Sequence, residues 1–445
     1  MNDESPRSKA QAIPASRLAR LSRFGTMTAG IAGGVALQGA RAYASGERPD
    51  WQGLLLTPGN MRRVADELAR MRGAAMKVGQ LISMDTGDVL PPELAEIMAR
   101  LRAEADYMPP KQLRSVLDAR WGRGWLQRFE RFEVRPIAAA SIGQVHRARG
   151  RGAAMPGDGT LAIKVQYPGV RRSIGSDVDN VASLIRLSGL VPEGLDIGPL
   201  LEEAKRQLHE EADYEREGRE LQRFGALLAG SDDFAVPELV PDFTTPDVLA
   251  MSFEPGIAVE RMRDAEQAVR DRIVRLLLEL LFREMFEFGV MQTDPNFANY
   301  RYDPERGCVV LLDFGASRSF SDEIVDGYRA LLKAGLHGGD GDIEHAALRL
   351  GFFAEDTGAH HKRAVVEMIG IAFGALRHPG VFDFGKSDMV PRLRDRALEM
   401  SADRTFLHIP PTEVLLMQRK FAGLYLLART LGARVDVRAL AEPWL

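Results

Sequence analysis

The sequence predicts an α+β protein in which a small antiparallel sheet precedes a larger, mostly helical part. Short β-like runs occur at residues 132–134, from Val145 onward and at residues 161–165, and glycine-rich turns separate them. Helical periodicity precedes these runs, at residues 60–122, and returns after them. We therefore expect a helical extension, then a sheet accompanied by one long helix, then a helical part.

The elements after the third strand can be predicted in order. A charged stretch at residues 200–228 predicts one long helix, and two strand-like runs follow at 235–240 and 248–253. The next segment is helical because its apolar residues recur at helical spacing along one face. These residues are Val274, Leu277, Leu278, Leu281, Met285 and Phe288.

Composition excludes several classes of protein. The 445 residues include 58 basic and 62 acidic side chains, so the formal charge is −4. A length of this size suggests two or three structural units. The charge balance gives no sign of the basic surface typical of nucleic-acid-binding domains, and we expect no nucleic-acid partner. Cys308 is the single cysteine, which excludes an intramolecular disulfide and indicates an intracellular protein.

The first 50 residues form a basic leader. Between Arg23 and Arg41 lie 17 uncharged residues, rich in Gly and Ala, which is the lower limit for a membrane-spanning helix of about 20 residues. Gly30 and Gly34 have the small-residue spacing that lets two membrane helices approach closely, which would allow a dimer. The alternatives are a flexible Gly/Ala-rich leader and a cleaved organelle transit peptide.

A candidate catalytic segment follows the apolar helix. Asp294 and Asn299 are five residues apart, and Asp313 comes fourteen residues later, directly after the apolar run 309–312. This spacing lets one carboxylate address the reacting group while an amide oxygen and a second carboxylate hold a divalent ion. Mg²⁺ prefers such hard oxygen ligands and bridges phosphate oxygens. We expect Asp294 to be the base or to position the nucleophile, and Asn299 and Asp313 to be metal ligands.

Two further motifs are typical of ATP binding. Lys164 ends the strand-like run Leu161-Ala162-Ile163-Lys164, which resembles the strand that supplies a lysine to the ATP phosphates. The loop before it matches the phosphate-covering pattern G-x-G-x-x-G-x-V, with alanine at the first two glycine positions. Because alanine cannot take positive φ at low cost, we expect a stiffer loop. Its residues are Ala138, Ala139, Ala140, Ser141, Ile142, Gly143, Gln144 and Val145.

Together these motifs predict a protein-kinase-like bilobal fold, with Lys164 and the three oxygen-bearing side chains converging on one metal–triphosphate. Two features of protein kinases are absent. Gln292-Thr293 stands where His-Arg precedes the catalytic aspartate, and only about six residues separate Gly315 from a helix that begins near Ser321. So short a segment offers little platform for an extended peptide, which argues for a non-protein substrate.

These residues resemble the UbiB family of atypical kinases, also called aarF-domain-containing kinases, and most closely its coenzyme Q-supporting mitochondrial and α-proteobacterial branch. The resemblance covers roughly residues 60–440. The family's K-x-G-Q motif is similar to Lys77-Val78-Gly79-Gln80, and its E-x-D motif to Glu211-Ala212-Asp213. The resemblance implies that Glu217 partners Lys164 and that Lys77 reaches Glu211.

By the same resemblance, Lys77, Gln80, Glu211 and Asp213 gate the substrate side. The alternative for Lys77 is a solvated position on an amphipathic helix. Asp213 and Glu217 are four residues apart, so on one helix both could face the cleft. The connector between lobes is Ser252-Phe253-Glu254, and Met251 and Phe253 are expected beside the nucleotide. The late run Arg419-Lys420-Phe421-Ala422-Gly423 resembles a carboxy-terminal helix signature, which we interpret as packing.

Four domains follow: the leader at 1–50, the helical extension at 51–129, a kinase-like N-lobe at 130–255 and a helical C-lobe at 256–445. We expect an ATP- and Mg²⁺-dependent kinase or ATPase that acts on a small molecule or lipid, and the resemblance implies that it supports ubiquinone biosynthesis.

Expected partners are ATP or ADP, a membrane surface and coenzyme Q biosynthesis proteins. The expected location is the inner, cytoplasmic membrane of a bacterium, or alternatively the matrix side of the mitochondrial inner membrane. The rival functions are a nucleotide-binding pseudokinase scaffold and a true protein kinase.

Overall fold

The computed structural model describes residues 71, 73–75, 77–78, 107–152, 155–187, 198–402, 408 and 410–445. They belong to two compact units. The N-terminal unit comprises the described residues up to Arg216 together with Leu239–Phe253, and the C-terminal unit comprises Glu217–Glu238 and Glu254–Leu445. The leader, its proposed helix and Gln80 lie outside the described residues. The four domain boundaries stay predictions.

The N-terminal unit is built on the predicted antiparallel sheet. Its strands run in the order β1-β3-β4-β6, and β2 pairs with β3. The strands of this sheet are β1 (Phe129–Phe132), β2 (Ala138–Ala139), β3 (Gly143–Gly150), β4 (Thr160–Gln166) and β6 (Val248–Ser252), whereas β5 (Phe234–Ala235) belongs to the C-terminal unit.

The two faces of this sheet differ because side chains alternate along each strand. Leu161, Ile163 and Val165 of β4 are fully buried in a core shared with the helix α1 (Pro110–Trp121). Lys164 therefore lies on the opposite face, together with Val145 of β3, its partner in the ladder.

The predicted long helix at residues 200–228 is two helices, so the expectation of one continuous element was wrong. After α2 (Val170–Leu187), the chain forms α3 (Gly198–Glu211) and then α4 (Tyr214–Leu228). Asp213 stands at the break, where its Oδ1 accepts a hydrogen bond of 3.0 Å from the Arg216 N–H. A carboxylate at this position satisfies an amide of the first turn and favours a new helix start.

The C-terminal unit is mostly helical, as expected. It contains α5 (Gln267–Arg283), α6 (Asp322–His337), α7 (Asp340–Arg349), α8 (Ala359–Ala372), α9 (Gly374–Arg377), α10 (Met389–Ala402), α11 (Thr412–Leu431) and α12 (Val437–Ala441). The predicted apolar face of α5 is confirmed, because Val274, Leu277 and Leu281 are buried. This helix continues into a π-helical turn at Glu284–Phe288 and ends at Gly289, whose φ of 60° suits glycine.

Short strands complete this unit. They form one sheet of order β5-β10-β9-β7 and two pairs, β11-β8 and β12-β13. The predicted strand at 235–240 is shorter than expected, since only Phe234–Ala235 pairs with β10. The strands are β7 (Ile257–Ala258), β8 (Val290–Gln292), β9 (Tyr300–Asp303), β10 (Cys308–Leu311), β11 (Ser317–Ser319), β12 (Phe382–Asp383) and β13 (Arg434–Val435).

None of the helices in the described part of the chain has the length and apolar character needed to cross a membrane.

Candidate functional site

Lys164 is a buried lysine at the centre of the N-terminal unit's sheet. Its side chain is 7% exposed, and its Nζ lies 5.1 Å from the centre of the Tyr214 ring. Tyr214, the first residue of α4, is itself fully buried. The electron-rich face of an aromatic ring stabilises an ammonium group, so Tyr214 helps to hold the lysine in place.

The loop 138–145 is a tight hairpin between β2 and β3. Ala138 pairs with Val145, and the Ala140 N–H donates to the Gly143 carbonyl at 2.8 Å. A Cβ at Gly143 would lie 2.5 Å from the Val165 carbonyl oxygen and 2.9 Å from the Tyr214 hydroxyl. Glycine is therefore required here by a close approach to β4 and α4, and φ at this position is not positive.

Glu211 joins this loop to the Lys77 segment, which we define as the described helical residues 73–75 and 77–78. One carboxylate oxygen of Glu211 forms an ion pair with the Lys77 ammonium group, and the other accepts a 2.9 Å hydrogen bond from Ser141 Oγ. Lys77 is only 4% exposed, so the alternative of a solvated surface lysine was wrong. A Cβ at Gly73 would lie 2.8 Å from the Ile142 side chain, so the segment packs directly on the loop.

Met251 and Phe253 lie at the end of β6 and just after it. Met251 pairs with Ala162 in the ladder, on the same face as Lys164, and is 5% exposed. The Arg147 guanidinium stands 4.6 Å from the centre of the Phe253 ring. Both residues thus border the face that carries Lys164, and their contact with nucleotide stays a prediction.

Asp294 and Asn299 contact each other in the C-terminal unit. Asn299 Nδ2 donates to Asp294 Oδ2 at 3.2 Å and to the Asp294 backbone oxygen at 3.4 Å. Asn296 caps the short turn between them by accepting from the Ala298 N–H at 3.1 Å. The five-residue spacing therefore folds into a loop that brings the carboxylate and the amide together.

Asp313 lies beside this loop in the same unit. The Leu312 N–H donates to the Asn299 carbonyl at 3.0 Å, which joins the two segments. Asp313 Oδ1 accepts from the Gly315 N–H at 3.0 Å. A Cβ at Gly315 would lie 3.4 Å from Asp313 Oδ1 and 3.5 Å from Glu217 Oε2, so two carboxylates flank this glycine. The predicted pairing of Glu217 with Lys164 stays a prediction.

The segment after Gly315 is short, as expected. Residues 317–319 form β11, which pairs with β8, and Ser321 caps α6 by accepting from the Ile324 N–H. Phe314 is buried and its ring lies 5.0 Å from that of Phe224, on α4. This aromatic contact was not predicted, because a single phenylalanine on an amphipathic helix carries no distinguishing signal.

The carboxy-terminal helix α11 contains a residue whose role was missed. Arg419 Nη2 lies 2.8 Å from Asp294 Oδ1, and the interpretation of the 419–423 run as packing alone was incomplete. The two residues are 125 positions apart, a separation at which no local spacing pattern predicts contact.

Lys420, the next residue, is buried at 1% exposure. Its Nζ donates to the Gln292 carbonyl at 2.7 Å and to the Tyr300 hydroxyl at 2.9 Å, and it lies 3.3 Å from Glu284 Oε2. Burial alone lowers the pKa of Lys420, but the Glu284 carboxylate and the Tyr300 hydroxyl together outweigh it and raise that pKa above its usual value. Lys420 is therefore a charged anchor at the start of the Asp294 loop.

Comparison with known proteins identifies relatives along nearly the whole chain. The model of the ABC1 atypical kinase-like domain matches residues 100–345. Atypical kinase COQ8, mitochondrial, of Saccharomyces cerevisiae is 36% identical over 436 residues, which are 97% of this chain and 85% of that protein. Atypical kinase COQ8B, mitochondrial, of Rattus norvegicus is 36% identical over 441 residues, 98% of this chain and 82% of the relative.

Among solved structures that share the fold is one from Mycobacterium tuberculosis. It is a protein in complex with erythromycin, with a TM-score of 0.57 and 23% sequence identity. The likeness covers 85% of this chain and 93% of that one. Together with the family match, it supports a kinase-like fold with an antiparallel sheet and a predominantly helical part.

Proposed function

Since this chain belongs to the ABC1 atypical kinase-like family, we propose that it is a UbiB-type, ATP-dependent kinase or ATPase that supports ubiquinone biosynthesis. We also propose that its phosphoryl acceptor is a small molecule, a lipid or water. The observation that carries this proposal is the contact of Asp294 with Asn299 and the backbone hydrogen bond that joins their loop to the Asp313 segment.

Asp294 is the residue that addresses the acceptor. Its carboxylate can accept a proton from, or orient, a hydroxyl group or water that attacks the γ-phosphorus. The protein contributes mainly by positioning, because phosphoryl transfer requires little covalent chemistry from the enzyme. The fixed loop 294–299 meets that requirement.

Asn299 and Asp313 are the residues that would hold Mg²⁺. Because the Asn299 nitrogen donates to Asp294, its amide oxygen remains as the donor that this side chain offers a metal. Asp313 supplies a carboxylate, and two hard oxygen ligands with phosphate oxygens and water suit Mg²⁺. When bound, the ion neutralises charge that develops on the β- and γ-phosphate oxygens.

Lys164 and the loop 138–145 are the nucleotide-binding elements. The Lys164 ammonium, on the face of β4 opposite Leu161, Ile163 and Val165, offers a point charge to the α- and β-phosphates. Ser141 of the loop donates a hydrogen bond to Glu211, and Ile142 packs on the Lys77 segment. We infer that this cluster, with Gln80 and Asp213, gates the acceptor side.

The short segment at residues 316–321 supports a non-protein acceptor. It is occupied by β11 and the cap of α6, so none of it is left to dock an extended peptide. Transfer of labelled phosphate to protein substrates in trans would contradict this part of the proposal.

The decisive experiment measures phosphate release and ATP binding by the purified protein with Mg²⁺. Asp294→Asn should lose at least about a hundredfold in turnover while its affinity for ATP stays within about twofold, because the change removes a group that acts in the transition state. Asp356→Asn, at an exposed position of the same unit, is the matched control. This variant should hydrolyse ATP at the wild-type rate.

Wild-type turnover in Asp294→Asn would remove Asp294 from the mechanism. ATP binding without any phosphate release or transfer by the unmodified protein would favour the pseudokinase scaffold instead.

The membrane assignment belongs to the same proposal. The relatives' names place them in mitochondria, and the chain carries a basic leader with a 17-residue uncharged stretch between Arg23 and Arg41. We infer a membrane-surface enzyme, on the bacterial inner membrane or the matrix side of the mitochondrial one. Its lipid surface and coenzyme Q biosynthesis proteins would be its partners, with a dimer formed through Gly30 and Gly34.

A further inference from the structure

Arg419 and Asp294 form a shielded ion pair within the C-terminal unit. The Arg419 side chain is 9% exposed and the Asp294 side chain 19% exposed. Arg419 Nη2 lies 2.8 Å from Asp294 Oδ1. An arginine is charged at every physiological pH, and its hydrogen bond to a carboxylate is of the strong, charge-assisted kind. The carboxylate of Asp294 is therefore restrained at one of its two oxygens.

The other oxygen of the same carboxylate contacts Asn299. Asn299 Nδ2 lies 3.2 Å from Oδ2, and the same nitrogen reaches the Asp294 backbone oxygen at 3.4 Å. Because Arg419 and Asn299 use different oxygens, the ion pair fixes the rotation of the carboxylate that keeps Oδ2 facing the amide nitrogen. An amide whose nitrogen is held in this way directs its oxygen to the opposite side.

The helix that carries Arg419 is itself firmly attached to the loop. Lys420 donates to the Gln292 carbonyl, two residues before Asp294. Gly423 packs on Pro295 so closely that an added Cβ would lie 2.2 Å from the proline Cβ. Arg419 thus comes from a rigid element with contacts on both sides of Asp294, as accurate positioning requires.

We propose that Arg419 is a positioning residue that acts through Asp294 to orient the Asn299 amide, so that its oxygen is presented to the divalent ion. This inference rests on the proposed function. Without the guanidinium the carboxylate is free to rotate, so the Asn299 nitrogen loses its 3.2 Å hydrogen bond to Oδ2 and keeps only the longer, 3.4 Å bond to the Asp294 backbone oxygen. The amide is then held less firmly, and its oxygen faces the metal in only a fraction of the molecules. Arg419 would then set the metal requirement of the enzyme.

The test compares the metal dependence of nucleotide binding in the full-length wild type and in Arg419→Ala. The Mg²⁺ concentration for half-maximal ATP binding should rise about fivefold, the contribution of one hydrogen bond. ATP affinity without metal should not change. In turnover, kcat should fall about tenfold to a hundredfold, with little change in KM at saturating Mg²⁺.

Chemical rescue separates positioning from a general structural role. Guanidinium ion at millimolar concentration should lower the Mg²⁺ requirement of Arg419→Ala toward the wild-type value, because it can occupy the space the side chain leaves. Sodium chloride at the same ionic strength should not. Arg419→Lys keeps the positive charge but lacks the planar guanidinium group. Its Mg²⁺ requirement should therefore lie between those of the wild type and Arg419→Ala.

Arg429→Ala, an exposed change on the same helix, is the matched control and should behave as the wild type. An unchanged Mg²⁺ requirement in folded Arg419→Ala overturns the inference while leaving the proposed function standing. If Arg419→Ala does not fold, Arg419→Gln and Arg419→Lys replace it in the same Mg²⁺ titration. An unchanged Mg²⁺ requirement in both folded variants then overturns the inference. A wild type that binds no ATP with Mg²⁺ overturns both proposals.

Discussion

His146 is a fully buried residue of β3, and its surroundings in the N-terminal unit favour the neutral imidazole. Its Nδ1 donates to the Glu133 carbonyl at 2.8 Å, its Nε2 is 2.8 Å from Gln144 Nε2, and its ring stacks on Phe132. Burial lowers the pKa of His146 to about 4, and the hydrogen bond to Glu133 opposes this only in part.

This arrangement predicts a pH-dependent stability. Between the unfolded pKa of about 6.5 and the folded pKa of about 4, the unfolded chain binds a proton that the folded chain does not. The free energy of unfolding should therefore fall as pH falls, and His146 should contribute a loss of roughly 2 kcal/mol between pH 7 and pH 5. Urea unfolding followed by tryptophan fluorescence, which reports on Trp121 and Trp125 in this unit, measures it.

His146→Gln should remove this part of the pH dependence even if it lowers stability at pH 7. His345→Gln, an exposed change, should retain it. Equal pH dependence in the wild type and in His146→Gln would show that another group is responsible.

At the scale of elements, α11 is the helix whose role differs most from expectation. It packs on α5, and its residues Arg419, Lys420 and Gly423 all contact the segment from Gln292 to Pro295. A helix at the carboxy terminus thus supports a loop more than a hundred residues earlier. The contacts that pack α11 against the C-terminal unit therefore also position the loop that carries Asp294.

Gly423→Ala tests that support. The added methyl group would overlap the Pro295 side chain, so either the helix or the loop must move. We expect a loss of about 1–3 kcal/mol in the free energy of unfolding, as for other overpacked cores, together with lower ATP turnover. Denaturant titration and phosphate release measure the two effects.

Gly225→Ala is the control for helix propensity, since the nearest atom to its added Cβ is 3.9 Å away. It should be neutral or stabilising by up to about 1 kcal/mol. A Gly423→Ala protein as stable and active as the wild type would show that α11 does not constrain the loop.

At the scale of the whole molecule, the proposal that the leader contacts a membrane can be tested directly. Its uncharged stretch contains Ile31 and Leu37 and is preceded by basic residues without acidic neighbours from residue 5 onward. A basic segment that contains such an uncharged stretch should bind anionic vesicles through apolar insertion and electrostatic attraction.

Full-length protein should therefore co-sediment with vesicles that contain anionic lipid, and the double change Ile31→Asp and Leu37→Asp should reduce the bound fraction at least about tenfold. The exposed double change Asp356→Asn and Glu355→Gln is a control with no expected effect. Equal binding by the leader variant would place the membrane contact elsewhere or exclude it.

Much of the fold followed from short-range patterns. The strand that carries Lys164, the apolar face of α5 and the start of α6 were all predicted correctly. A short apolar run after a glycine-rich turn is typical of a buried strand, and helical periodicity identifies the buried face of a helix. The helix break at Asp213 was missed, since a capping aspartate inside a charged helical stretch looks like any other acidic residue. The spacing of five between Asp294 and Asn299 predicted a role for each side chain, but not the hydrogen bond that joins them.

The sequence by itself determined the family and the residue types of the candidate site, because these depend on motifs whose members lie within a few positions of each other. Only the tertiary structure decided which partners surround them: Arg419 beside Asp294, Phe224 against Phe314, and Glu211 between Lys77 and Ser141. Such contacts join segments that are far apart along the chain. Their geometry depends on how helices and strands pack against each other, and the local periodicity of the sequence does not predict that packing.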